Sequence, residues 1–225
     1  MATDPSNPER AFLRLLAWVL AIVLAGILLG WATDTYAQPI PLEAQKHQRE
    51  LTRVIQQEWG LGGSAARAAA LIHQESAWRP EVGDGTVTSW AGAQGYAQFM
   101  PSTAGWISEL YPDLGPPAPF TANWSMRAMA RYTGWLFART EGHTHCDHWH
   151  FVLRAYNGGL GHLRAESRNA TDPLDRVSVD ATCGTARRAE VHCAENLGYP
   201  RRILIDLEPR YLKAGWSGRP TCSQP

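Results

Sequence analysis

The sequence predicts a mainly α-helical domain that follows a short apolar segment near the N-terminus. Apolar residues recur at intervals of three and four through most of the chain after residue 42, which is the spacing of one buried helix face. Glycines and prolines interrupt this pattern at helix-length intervals. Hydrophobic residues make up 44% of the 225 and charged residues 19%, as in a packed globule. We therefore expect one domain of about six or seven helices.

The first element is a charge-free run from Leu15 to Trp31, which is 17 residues long. Arg10 and Arg14 precede the run and Asp34 follows it, a charge order that keeps the N-terminus in the cytoplasm. The run is just long enough to span a bilayer. The sequence therefore predicts a signal anchor over residues 11–31 in the inner membrane, with the rest of the chain in the periplasm.

Short polar segments flank this predicted anchor. Residues 1–10 are expected to form a cytoplasmic stub, and residues 32–41 a linker in which Pro39 and Pro41 disfavour a helix. Cleavage near Ala37 is the alternative, because small residues stand at the two positions that a signal peptidase requires. In that case the domain would be released into the periplasm.

Residues 42–225 form the predicted domain. Ser64 is a suitable N-cap for its second helix, and Gly158 and Gly159 stop a later one. Residues 80–95 carry proline, several glycines, serines and threonines, and are expected to form a loop or a short hairpin. The expected helices cover residues 42–59, 64–76, 101–111, 124–139 and 149–156, and a last helix begins at Pro200.

Four cysteines follow the predicted anchor and would lie in an oxidising compartment, where disulfides persist. Four cysteines allow three pairings. We expect Cys183 to pair with Cys193, because this pair closes a short loop that contains glycine, and Cys146 to pair with Cys222.

Histidines are concentrated between His143 and His150, where they make up half of the residues. Their spacing does not match a zinc pattern, although short histidine-rich tracts can bind metals. We interpret the stretch as a disulfide-bonded surface loop, and we predict no metal site and no cofactor.

The charge balance argues against one class of partner. Lysine plus arginine equals aspartate plus glutamate, with 21 residues each, so the chain has no overall field that would attract nucleic acid. The ten tryptophans are many for this length, and each serves either the core or a contact surface. We expect a monomer that does not bind nucleic acid.

Glu75 is the most informative titratable residue. It lies near the end of the predicted helix 64–76, on the same face as Leu71 and Ile72. A carboxyl group that continues an apolar face is desolvated, which raises its pKa and lets it hold a proton near neutral pH. Helical periodicity alone, however, favours the alternative of a glutamate that faces water at a helix end.

Four short motifs connect Glu75 to a known family. The first motif is Glu-Ser-Ala-Trp-Arg-Pro at Glu75–Pro80, and the second comprises Gly-Ala-Gln-Gly and Gln-Phe-Met-Pro-Ser-Thr-Ala within Gly92–Ala104. The third is Ala-Tyr-Asn-Gly-Gly at Ala155–Gly159. The fourth is a tyrosine four residues after a glutamate, at Glu195–Tyr199. In this order and spacing, across residues 60–210, they resemble the motifs of the soluble lytic transglycosylase-like (SLT) family. The resemblance implies a lysozyme-like fold and activity on the glycan strands of bacterial peptidoglycan.

The resemblance also implies roles for individual residues. Glu75 would be the catalytic acid, Ser76 would form a hydrogen bond near it, and Tyr199 would place its hydroxyl beside the carboxyl group. The residues expected to contact or orient the substrate are Ser76, Gln98, Tyr156, Asn157 and Tyr199. One departure is that Tyr96-Ala97 replaces the usual Leu-Met, which would reshape the floor of the cleft.

A single catalytic acid implies a particular reaction. Ordinary glycosidases place a second carboxylate opposite the first, but no motif supports the nearby Glu81 or Asp84, which we expect to be solvated. The family resemblance implies cleavage without water, which leaves 1,6-anhydromuramoyl ends. A lysozyme-type hydrolase on the same fold and a noncatalytic peptidoglycan-binding protein are the alternatives. Phage lysis, wall remodelling and wall opening for a secretion system all fit the sequence.

Overall fold

The computed structural model describes residues 39–222, which form helices joined by loops. This part of the chain contains no strand, and its β pairing is limited to an isolated antiparallel bridge between Gln94 and Phe99. The predicted mainly α domain is therefore confirmed for these residues. The helices are α1 (Leu42–Trp59), α2 (Ala65–Ser76), α3 (Pro80–Gly83), α4 (Pro101–Leu110), α5 (Ala122–Phe137), α6 (His145–Gly158), α7 (Leu160–Ser167), α8 (Arg176–Asp180), α9 (Cys193–Arg201) and α10 (Glu208–Lys213).

The first two helices form where the sequence predicts them. Helix α1 buries the predicted apolar face through Leu51, Val54 and Ile55. Ser64 caps α2, because its hydroxyl oxygen accepts a hydrogen bond from the backbone N–H of Arg67 at 3.1 Å. Most residues of α2 are buried, so this helix lies in the middle of the core. The loop after α2 contains the short helix α3, which the sequence analysis did not predict.

The expectation that the last helix begins at Pro200 is wrong. Helix α9 begins at Cys193, and Pro200 lies inside it. Proline lacks a backbone N–H and its ring crowds the preceding turn of a helix. The backbone takes π-helical geometry directly afterwards, over Arg202–Leu207, and α10 follows without an intervening loop. Tyr199 therefore lies within a long helical segment.

The histidine-rich stretch is not the predicted surface loop, because most of it forms the first turns of α6. Thr144 and Asp147 form a reciprocal capping box that starts the helix at His145. Within residues 39–222, no group of three or more histidine, cysteine or acidic side chains is arranged to hold a metal ion. Three of the histidines have hydrogen-bond partners, in the pairs His143–Asp172, His148–Phe137 and His150–Asp180.

Both predicted disulfides are confirmed. Cys146 and Cys222 join the start of α6 to the C-terminal segment, across 76 residues of sequence. Cys183 and Cys193 join the loop after α8 to the start of α9. Buried hydrogen bonds also hold the C-terminal segment. The Arg67 guanidinium donates to the Thr221 hydroxyl, which in turn donates to Glu208, each at 2.8 Å.

The membrane anchor predicted over residues 11–31 lies outside the described part of the chain, as do the stub at 1–10 and most of the linker at 32–41. Among residues 39–222, no helix has both the length and the apolar character needed to cross a membrane.

Candidate active site

Glu75 lies one residue before the end of α2, where the chain makes a left-handed turn. Ala77 and Trp78 have φ angles of 51° and 55°, which residues other than glycine rarely adopt. Burial of Trp78 offsets this strain, because its ring is only 1% exposed and its indole N–H donates to the Ala69 carbonyl at 3.0 Å. The turn therefore ends α2 in a fixed geometry immediately after Glu75.

Ser76 is buried beneath this turn. Its hydroxyl donates to the Ile72 carbonyl at 3.1 Å and accepts a hydrogen bond from the Trp78 N–H at 3.3 Å. These bonds stabilise the helix end that carries Glu75, but none of them reaches the Glu75 carboxyl group. An orienting role for Ser76 therefore acts through the backbone, and a substrate could touch its side chain only if the turn opened.

The Glu75 carboxyl group receives a hydrogen bond from the hydroxyl of Tyr199 in α9. Burial raises the pKa of Glu75 from 4.5 to about 7, against the lowering effect of the Tyr199 bond and with a further rise from the charge of Glu195. A glutamate facing water would keep its ordinary pKa, so the structure supports the desolvated interpretation. Near neutral pH this carboxyl group exists in both protonated and ionised forms.

Tyr156 in α6 lies on the other side of the same site. Its hydroxyl donates to the Ala97 carbonyl at 2.8 Å. Burial, together with the charge of Glu75, raises the pKa of Tyr156 well above its usual value, and the same causes act on Tyr199. Both phenols therefore remain neutral at physiological pH and act as hydrogen-bond donors.

Gln98 lies in the tight turn Gly95–Gln98, which the Gln94–Phe99 bridge closes. The Gln98 side-chain amide donates to the Gly95 carbonyl at 2.8 Å and stays partly exposed. Glycine is required at position 95, because a Cβ there would lie 1.8 Å from the Pro119 carbonyl oxygen. The turn therefore sits firmly beside Tyr156, with the Gln98 amide partly open to solvent.

The substitution of Tyr96 for the usual leucine affects the core more than the cleft. Tyr96 is 5% exposed, and its ring centroid lies 5.4 Å from that of Trp78. Its hydroxyl donates to Glu43 of α1 at 3.2 Å, and Gly83 leaves room for the ring. The Tyr96 side chain thus fastens the turn to α1 and α3.

Asn157 follows Tyr156 at the end of α6 and contacts a second carboxylate, that of Glu195. Its amide N–H donates to Glu195 at 3.2 Å, and its amide oxygen accepts a bond from Asn196 at 2.8 Å. A cavity of about 250 Å³ opens beside Asn157 and Glu195. Glu195 was recognised from the sequence only as part of a motif, and its electrostatic effect on Glu75 was not predicted.

A buried ionic network, which was not predicted from the sequence, is connected to Asn157 through Asn196. Arg154 is fully buried and bonds to Glu166, Asp180 and Asn196, while Arg188 bonds to the other Glu166 oxygen at 2.8 Å. Such a network is stable only when its members are paired. Arg154 stands two residues before Tyr156 in α6, and a charged residue among the apolar positions of that helix was the available signal.

The two acids considered earlier as second carboxylates do not join Glu75 through any hydrogen bond within residues 39–222. Asp84 is exposed, and its carboxylate accepts a bond from the Thr86 N–H at 2.9 Å. Asp84 is solvated as expected, whereas Glu81 is half-buried at the end of α3 nearest Pro80.

Comparisons with known proteins agree with this fold. The family model of the transglycosylase SLT domain matches residues 51–178. The 70 kDa soluble lytic transglycosylase of Escherichia coli is similar in structure, with a TM-score of 0.57 and 24% sequence identity over 77% of this chain and 25% of that one. A 70 kDa soluble lytic transglycosylase in complex with bulgecin A is also similar, with a TM-score of 0.58 and 23% sequence identity over 78% of this chain and 25% of that one. No curated protein sequence matched. The chain therefore spans about a quarter of the length of these solved structures.

Proposed function

Because the chain belongs to the transglycosylase SLT domain family, we propose that it cleaves peptidoglycan glycan strands as a lytic transglycosylase. The bond broken is the β-1,4 linkage between N-acetylmuramic acid and N-acetylglucosamine. The observation behind the proposal is the position of the Glu75 carboxyl group, which is partly buried against Tyr199 so that desolvation raises its pKa to about 7. A carboxyl group that keeps its proton at neutral pH can donate it to the oxygen of a leaving sugar.

The reaction uses the same carboxyl group twice. Glu75 first protonates the glycosidic oxygen, and the bond from muramoyl C1 to that oxygen breaks. The acetamido oxygen of the substrate stabilises the cationic C1 centre. The Glu75 carboxylate then takes the proton from the C6 hydroxyl, whose oxygen closes onto C1. The products are a 1,6-anhydromuramoyl end and a free N-acetylglucosamine hydroxyl, and Glu75 regains its proton without any water.

The surrounding residues serve this double use of one group. Tyr199 bonds to one oxygen of Glu75, so the carboxyl group is held in a defined orientation. Asn157 and Gln98 are partly exposed and offer amide groups to the substrate. Tyr156 holds the turn at Ala97, and Ser76 stabilises the end of α2. The sugar chain would lie between this turn and the end of α2.

A hydrolase remains the second candidate, because Glu195 is a carboxylate close enough to raise the pKa of Glu75. In a hydrolytic reaction Glu195 would activate a water molecule, and the products would be reducing muramoyl ends. The hydrogen bond from Asn157 to Glu195 favours a structural role for Glu195 instead.

The setting we propose follows from the sequence alone. Residues 11–31 would anchor the chain in the inner membrane, with the catalytic domain in the periplasm, unless cleavage near Ala37 releases it. The chain would act as a monomer on wall remodelling, on wall opening for a secretion system or in phage lysis. Fractionation of expressing cells tests the anchor, since an anchored chain would sediment with membranes and a cleaved one would be found in the periplasmic extract.

The proposed activity can be tested with the full chain and purified peptidoglycan. We expect soluble muropeptides whose mass is lower, by one water, than that of the products of a muramidase. Glu75→Gln should give no such products, whereas Glu109→Gln, which changes an exposed glutamate on α4, should give as many as the parent. Undiminished release by Glu75→Gln would reject the assignment of Glu75, and a chain that binds the polymer without cleaving it would be a binding protein.

A further inference from the structure

An aromatic row leads away from the candidate active site across the surface of α4 and α5. It consists of Trp106, Tyr132 and Trp135, and it is continuous with Tyr156. The ring centroids of Tyr156 and Tyr132 lie 5.3 Å apart, and Tyr132 is 6.0 Å from Trp106. Trp106 in turn lies 4.9 Å from Trp135. The row therefore connects a residue of the catalytic site to the outer surface without a break.

The aromatic row differs from the aromatic residues of the core in its exposure. Trp106 is 36% exposed, and Tyr132 and Trp135 are partly exposed, whereas Trp78 is 1% exposed. The Tyr132 hydroxyl and the indole N–H groups of Trp106 and Trp135 form no hydrogen bond to any residue between 39 and 222. The row therefore offers apolar faces together with free polar donors.

A cationic side chain borders the far end of the row. The Arg139 guanidinium lies 4.1 Å from the centre of the Trp135 ring and donates to the Trp135 carbonyl at 3.1 Å. Sites that bind polar ligands on apolar surfaces have this composition, in which rings supply contact area and a few donors fix the orientation. A sugar presents an apolar face of C–H groups and a rim of hydroxyls, so it is complementary to such a surface.

On this basis, and resting on the proposed function, we propose that Trp106, Tyr132 and Trp135 form a binding surface for sugar rings of the glycan strand next to the cleaved bond. The continuity with Tyr156 selects the glycan over other occupants. A second protein is a poor fit, because a stable interface needs about 800 Å² from each partner. Three aromatic side chains supply about 600 Å² even when fully exposed, and these three are only partly exposed.

The test uses calorimetric binding of an N-acetylglucosamine oligomer to the full chain carrying Glu75→Gln, so that no cleavage occurs. Adding Trp106→Ala or Trp135→Ala should raise the Kd about tenfold, a loss typical of truncating an aromatic residue in a binding surface. The conservative changes to phenylalanine should restore most of the affinity. Leu110→Ala serves as the matched control, because Leu110 is an exposed apolar residue on the same helix as Trp106 but outside the row.

A second measurement separates lost binding from damaged folding. In the active chain, Trp106→Ala should raise KM for soluble glycan strands and leave kcat and the melting temperature close to those of the parent. Equal affinity of the parent and both alanine variants for the oligomer would overturn the proposal, as would a parent that binds no oligomer. If the parent releases anhydromuropeptides in either case, the proposed function stands and only the aromatic row loses its role.

Discussion

Replacing Glu75 by glutamine should stabilise the protein above neutral pH while it removes activity. In the folded chain the pKa of Glu75 is about 7, compared with 4.5 for a solvated glutamate. Between these values the native state holds a proton that the unfolded state has lost, so stability falls as the pH rises through this window. Glutamine remains neutral at all pH values, and its amide oxygen can still accept the Tyr199 hydrogen bond.

The magnitude follows from the size of the pKa difference. Each pKa unit corresponds to about 1.4 kcal/mol, so full ionisation of Glu75 at this position costs about 3.5 kcal/mol of unfolding free energy. The cost is small at pH 4.5 and nearly complete at pH 8. Relative to the parent, Glu75→Gln should therefore gain about 3 kcal/mol of stability between these two pH values.

Urea unfolding of both proteins at pH 4.5 and pH 8 measures this difference directly. Glu109→Gln is the control, because Glu109 is exposed and its removal should leave the pH dependence of stability unchanged. If the stability difference between the parent and Glu75→Gln were the same at the two pH values, Glu75 would have an ordinary pKa. That result would refute the reasoning that burial prepares this group to act as an acid.

Three further predictions concern groups around Glu75 and the disulfides. Tyr199→Phe removes a bond that lowers the pKa of Glu75, so the alkaline limb of the pH–activity profile should move to higher pH, and an unmoved limb would count against the bond. Glu195→Gln removes a charge that raises this pKa, so the same limb should move to lower pH, and a shift upward would contradict the electrostatic account. Reducing the Cys146–Cys222 disulfide, which spans 76 residues, should cost about 4 kcal/mol and lower the melting temperature by about 10 °C without abolishing cleavage. Identical melting with and without reductant would show that the bond contributes nothing.

The elements that the sequence predicts well are those that depend on local rules. Helix α1 follows from a one-sided apolar stripe, and the start of α2 follows from the Ser64 cap. The position of Glu75 on the apolar face of α2 indicated desolvation only in combination with the family motifs, because periodicity alone favoured a glutamate that faces water. Its hydrogen bond with Tyr199 joins residues 124 positions apart and could be expected only from the family motifs.

The features that the sequence did not predict depend on tertiary contacts. Pro200 normally marks a helix start, but here the helix runs through it and widens afterwards. The sequence assigned no role to Arg154, which can be buried because Glu166 and Asp180 neutralise it. No pattern in a single sequence identifies partners that lie so far along the chain. Tyr96 was expected at the floor of the cleft. Its contact with Glu43, another distant partner, could not be recognised from the motif.

In the proposed reaction one carboxyl group breaks the glycan without water, and cleavage in water enriched in heavy oxygen distinguishes this reaction from hydrolysis. Mass analysis of the muropeptides would show whether the new muramoyl ends incorporate the label. We expect anhydro ends that carry no label, and we expect Glu75→Gln to form none of them. Labelled reducing ends produced by the parent would contradict it and would identify the protein as a hydrolase.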